Sequence, residues 1–143
     1  MTFTTQPPKS FGYCIQLIVA GCQIEDVCDI EKLKKMVQHS VLFSGDPAIG
    51  EPIIRRSGVG TDKEGYTIIQ ILEKGYVILN SIDQLGCFYL DMLISQPRKD
   101  YIIGKFADSI FQPLEISRTG ASERKPMYDP TMGSEAVMSR IAL

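Results

Sequence analysis

The sequence predicts an α+β protein, a two-layer sandwich in which a mostly antiparallel sheet carries two helices on one face. Three observations lead there. Residues 66–95 read as three successive strands, because β-branched and aromatic residues recur and Phe88, Leu90, Met92 and Ile94 alternate onto one side. Two other stretches, 30–42 and 98–111, repeat their apolar residues at three- and four-residue spacing, the period of a helix with one buried face. The resulting order of strand, helix, several strands, helix, strand keeps the two kinds of element apart, which favours two layers over a parallel sheet with alternating crossovers.

Each element has its own justification. Residues 1–10 hold Pro7 and Pro8 among Thr, Gln and Ser and read as an extended N-terminal arm. Phe11, Tyr13, Ile15, Leu17 and Val19 alternate along a first strand over 11–19, which Gly21 ends. Asp29 is the N-cap of the first helix, with Glu31 in the first turn where the helix dipole favours an anion. Ile30, Leu33, Val37 and Val41 form its apolar stripe, and Gly45 closes it.

Residues 53–56 read as a short strand, and Pro52 places it at an edge, because proline donates no ladder hydrogen bond. The stretch GVGTDKEG over 58–65 is a hairpin loop. A phosphate-binding role ranks second there, since no helix follows and the glycine spacing matches neither a Walker loop nor a dinucleotide fingerprint. Strands over 66–72, 76–82 and 88–94 come next. The reversal at Glu73, Lys74 and Gly75 is expected to use Gly75 for a left-handed backbone.

The second helix follows Pro97 and presents Ile102, Phe106 and Ile110, with Ile103 beside them; 113–118 makes the last strand. Ser134 caps a terminal helix over 135–143 that carries Val137, Met138 and Ile141 on one side and is too short to persist unless it docks. The organisation is therefore an arm (1–10), one domain (11–118) and a tail (119–143). The expected core is Leu17, Leu33, Val37, Ile69, Ile71, Leu90, Met92, Ile102 and Phe106. Apolar residues also fall on the opposite sheet face, and a partner subunit is the economical cover for them.

Composition narrows the function classes. A chain of 143 residues with 44% hydrophobic and 22% charged residues is one ordinary globular domain by size. A net charge of −2 leaves no basic face for nucleic acid, and Lys34-Lys35 and Arg55-Arg56 read as solvated pairs. No apolar run reaches the length of a membrane span, and the N-terminus lacks the apolar core of a secretory signal. Cys14, Cys22, Cys28 and Cys87 have no CxxC spacing and His39 is the only histidine, so buried free thiols in a reducing, cytoplasmic setting are expected rather than zinc.

From 11 to about 118 the chain resembles the small prokaryotic-type S-adenosylmethionine decarboxylases. Phe11-Gly12, the strand after it and the Gly21-Cys22 turn are similar to that family's opening strand; 29–45 resembles its first helix; 65–73 resembles the strand leading to its processing site. The segment 86–95 is similar to the strand "Y-A-A-V-D-V-F-T-C-G", and 102–116 to the second helix and last strand. The resemblance implies the α+β fold and association of protomers through their sheets. In the family, chain cleavage within "E-S-H-L-S-I-H" turns a Ser into a pyruvoyl group, the electron sink for decarboxylation. Aligned on Glu73, that Ser is Lys74, the processing His is Leu79 and the catalytic Cys is Ser95, while Asp91 keeps its place. A gapped alternative that sets Asn80-Ser81-Ile82 on the later "L-S-I" restores neither the base nor the Cys.

The expectation is thus a catalytically inactive copy of the decarboxylase fold, with no pyruvoyl group and no catalytic residues, serving as a binding, regulatory or structural subunit of a protein assembly. Its protein partners, or further copies of itself, are expected to join through the sheet and the tails, with Val137, Met138 and Ile141 as interface residues. The alternative is an S-adenosylmethionine- or nucleoside-binding enzyme or sensor with altered chemistry, in which Arg55, Arg56, Glu73 and Asp91 surround the ligand. A third reading takes the fold only as a stable block within a larger machine.

Overall fold

The computed structural model describes residues 12–124, except for the side chains of 120 and 121. Among the described residues six strands form one antiparallel sheet: β1 (Tyr13–Ala20), β2 (Ile53–Ser57), β3 (Gly65–Ile71), β4 (Tyr76–Ile82), β5 (Cys87–Ile94) and β6 (Glu115–Glu123). Their spatial order is β2-β3-β4-β5-β1-β6. Three helices accompany them: α1 (Ile24–Val27), α2 (Ile30–Ser44) and α3 (Tyr101–Phe111). The expected two-layer α+β sandwich is what the chain forms.

The core lies between the sheet and the helices. Ile15, Leu17 and Val19 of β1, Leu79 of β4 and Phe88, Leu90, Met92 and Ile94 of β5 are buried on that side. Leu33, Met36 and Val37 of α2 and Ile103, Ala107 and Phe111 of α3 meet them, and the Phe88 and Phe111 rings lie 4.8 Å apart, centre to centre. His39 and Phe106 join α2 to α3 edge-on at 4.8 Å.

Several local devices act as the sequence predicts. The Asp29 carboxylate accepts from the N–H groups of Glu31 (3.0 Å) and Lys32 (3.4 Å), which satisfies orphan donors of the first turn of α2. Gly45, at φ 74°, takes the left-handed position that ends the helix. β2 sits at the sheet edge, and the loop over 58–65 joins it to β3 as a hairpin.

Other expectations need correction. The phase of β3 is the reverse of the one expected: Ile68, Gln70 and Leu72 are buried toward the helices, whereas Ile69 is half-buried and Ile71 is 49% exposed on the other face. A run of adjacent isoleucines leaves the period-two pattern without a phase. On α3 the fully buried side is Ile103, Ala107 and Phe111, and Ile102 and Phe106 are half-buried at its margin. That helix starts at Tyr101, three residues later than expected, and β6 runs on to Glu123 because β1 offers it a partner along its whole length. Gly75 is not left-handed. The turn closes by a hydrogen bond from Leu72 N–H to the Gly75 carbonyl (2.9 Å), and glycine is needed there because a Cβ would overlap the Leu93 carbonyl of β5. α1, a single turn with Val27 buried, is too short for periodicity to reveal. The expected terminal helix, with Val137, Met138 and Ile141, lies outside the described residues.

Candidate functional site

The sheet face away from the helices is the candidate site. Register determines its occupants, since directly opposed residues share a face. One row across the sheet is Ile53, Ile69, Ile78, Asp91, Gln16 and Thr119; the next is Arg55, Thr67, Asn80, Tyr89, Ile18 and Ser117. A third contains Ile71, Tyr76, Leu93 and Cys14. The face is therefore mixed. In the first row isoleucines occupy β2 to β4 and polar groups β5, β1 and β6; the second reverses this, with Arg55, Thr67 and Asn80 polar and Tyr89 and Ile18 apolar.

The polar groups are ordered. The Ser57 and Thr67 hydroxyls are 2.9 Å apart, and Thr67 Oγ1 donates to Asn80 Oδ1 at 2.8 Å, so one chain of hydrogen bonds crosses three strands. Asp91 is half-buried mid-row between Ile78 and Gln16. Two shallow hollows, of about 300 and 220 Å³, lie against it, and both are lined by Gln16 and Asp91. The exposed apolar residues on this face are Ile18, Ile53, Ile71 and Tyr89, each between 38% and 49% exposed. They form two pairs, Ile18 directly opposite Tyr89 on β1 and β5, and Ile53 diagonal to Ile71 on β2 and β3.

The four residues proposed from sequence to surround a ligand do not share one place. Arg55 and Asp91 lie on the open face, in neighbouring rows and three strands apart. Arg56 belongs to the helix-side rows, where its guanidinium donates to Asp83 Oδ2 at 2.7 Å, lies 3.5 Å from Glu64 Oε2 and stacks on the Tyr66 ring at 4.6 Å. The Asp83 hydrogen bond, foremost, raises the Arg56 pKa. Glu73 is exposed in the β3–β4 turn.

The positions that the resemblance aligns with decarboxylase chemistry lie in different surroundings, although the β4–β5 register brings the turn at Lys74 alongside the end of β5 next to Ser95. Lys74 is exposed in the same turn, Leu79 is sealed in the core, and Ser95 Oγ donates to Asp46 Oδ1 at 2.8 Å. Cys22 and Cys87 are buried as expected of the thiols, Cys14 is half-buried and Cys28 is exposed, and the pKa is raised at three of the four. Burial, then Cys87, then Asp26 push the Cys22 thiol up to about 11. Burial also raises Cys87, and burial followed by Asp83 raises Cys28. A raised pKa lowers the thiolate fraction on which sulfur chemistry depends.

A solved structure fits this architecture. The crystal structure of the adenosylmethionine decarboxylase from Aquifex aeolicus VF5 superposes with a TM-score of 0.66 at 15% identity, covering 88% of this chain and 100% of that one. The fold is that of an adenosylmethionine decarboxylase. No family model matches the chain, and no curated protein matches it. Among the described residues, no helix is long and apolar enough to cross a membrane.

Sequence reading missed the Thr67–Asn80 ladder, the Arg56–Asp83 pair and the buried Gln70. None left a usable signal, and Gln70, a polar residue on the buried side of β3, favours the opposite phase when the sequence is read by itself.

Proposed function

We propose that this chain is a catalytically inactive protein of the adenosylmethionine decarboxylase fold that serves as a binding, regulatory or structural subunit of an assembly. The observation that carries the reading is the open sheet face, with Ile18, Ile53, Ile71 and Tyr89 all exposed. Burying such a patch against another subunit removes an aggregation hazard and supplies the driving force for association.

The site chemistry supports the inactive half of the proposal. Lys74 carries no hydroxyl to attack the preceding carbonyl, and Leu79 carries no titratable group, so the residues at these positions do not fit a self-generated pyruvoyl group. Ser95 replaces the thiol and already donates to Asp46. The second reading, a sensor of S-adenosylmethionine or another nucleoside, draws on the two hollows that flank Asp91.

Sedimentation velocity and intact mass test the proposal together. The expected results are an oligomer, or a stoichiometric complex recovered from native extract, that dissociates in an Ile18→Asp, Ile71→Asp double variant, and a single mass of 15.9 kDa. A stable monomer with no recovered partner overturns the assembly role. Fragments broken before Lys74 overturn the inactivity. Calorimetry with S-adenosylmethionine then separates a sensor from a purely structural copy.

A further inference from the structure

A separate cleft of about 450 Å³ opens on the helix side of the sheet, between α2 and the β2–β3 edge. The segment before β2 forms its rim. That segment runs beside the end of β3, with Ile49 N–H donating to the Ile71 carbonyl (2.8 Å) and Glu73 N–H to the Pro47 carbonyl (3.0 Å). It then breaks from the ladder before β2 pairs further along, Ile53 opposite Ile69. Gln70 fills the break. Although 5% exposed, it faces the core side of β3, and its Nε2 lies 2.9–3.4 Å from the carbonyl oxygens of Ile49, Gly50 and Ile71. Three acceptors around one amide end require nitrogen there, and Gln70 also lines the cleft.

The other walls define the ligand. Val37, Val41, Ile68 and Pro52 are aliphatic, and no aromatic ring lines the cleft, so a nucleobase has nothing to stack on. Lys34 brings one cation from α2 and Glu51 one anion from the rim. Lys34 has only a 3.8 Å approach to Glu31 on the helix surface, a weak competitor for it. A carboxylic acid alone meets Lys34 but is repelled by Glu51, and an amine alone has the converse problem. An aliphatic zwitterion satisfies both charges. A concave, mainly apolar cleft with a few convergent polar groups has the general form of a small-ligand site.

We propose that this cleft binds a free α-amino acid with an aliphatic side chain, independently of the open sheet face. The test is amide chemical-shift titration of the full chain with L-leucine, 4-methylpentanoate, isopentylamine and S-adenosylmethionine in parallel. Binding of L-leucine is expected to shift amides of α2, of 48–51 and of 68–70. Lys34→Gln and Glu51→Gln, both at solvent-accessible positions, are each expected to weaken it about tenfold or more, the effect of losing one charged hydrogen bond. The two analogues that lack one charge are expected to weaken by the same order. No shift with millimolar L-leucine overturns the proposal. So does equal binding of all three aliphatic probes, or a response to S-adenosylmethionine alone. None of these outcomes bears on association through the sheet face.

Discussion

Gly75 is pressed against the backbone of Leu93: a Cβ at residue 75 overlaps the Leu93 carbonyl oxygen of β5. Glycine is required there by crowding rather than by a left-handed backbone. Gly75→Ala must therefore displace one strand from its neighbour, and it is expected to cost about 3 kcal/mol or more, the upper end of overpacking. Gly50 has the opposite character, with φ 69° and nothing near a built Cβ, so Gly50→Ala is expected to cost only the left-handed strain, about 1–2 kcal/mol. Urea midpoints of the two variants read the difference, and equal midpoints would refute the crowding argument.

The two faces of the sheet give a second contrast. Leu90→Ala removes a fully buried side chain from the middle of β5 and is expected to destabilise by about 2–5 kcal/mol. Ile71→Ala is expected to change monomer stability by no more than about 0.5 kcal/mol, because its side chain is on the open face. A large loss of stability for Ile71→Ala in a monomeric sample would restore the original phase of β3.

At the start of α2, Asp29→Ala removes the acceptor for two backbone N–H groups. The expected loss is about 1 kcal/mol, with Asp29→Asn recovering most of it. Thermal unfolding of both variants checks this; identical losses would mean that charge rather than capping is responsible.

The buried thiol of Cys22 gives a pH dependence with a definite sign. Its pKa is raised from 9.0 to about 11 in the fold, so between those values the folded state binds more protons than the unfolded one. Stability therefore falls as pH rises from about 9 towards 11, and Cys87, also raised, adds in the same direction. Cys22→Ala is expected to flatten this alkaline decline relative to the parent chain in denaturant titrations at several pH values. A decline of unchanged slope in the variant would assign it to other groups.

Much of this architecture was legible because local signals agreed with one another. Asp29 and Gly45 bracket α2 as the apolar spacing requires, and the alternation through Phe88, Leu90, Met92 and Ile94 sets the phase of β5 without ambiguity. The sequence was silent where neighbours in space decide. In β3 the phase depends on Gln70 reaching the carbonyls of Ile49 and Gly50, a contact invisible to any window around residue 70. Arg55 and Arg56 look like one cationic pair in the chain, yet the strand turns them to opposite faces, and Arg56 finds Asp83 from a distant loop. Site chemistry was legible mainly as replacement: Lys74, Leu79 and Ser95 are readable without coordinates, whereas the α2–β3 cleft is not.

The strand order has a consequence for the birth of the molecule. β2 to β5 form a meander in which each strand meets the next across a short connection, so that part can assemble from local encounters. β1 is synthesised first but fits between β5 and β6, where Tyr13 faces Ile94 on one side and Glu123 on the other. Closing those long loops is entropically costly and slows folding relative to local pairing. On a ribosome the first strand waits for β5, and once paired there its other edge stays open until β6 emerges. A chain halted before β6 emerges presents the unpaired backbone of β1 to whatever is nearby, so the final strand covers an edge otherwise open to misassociation.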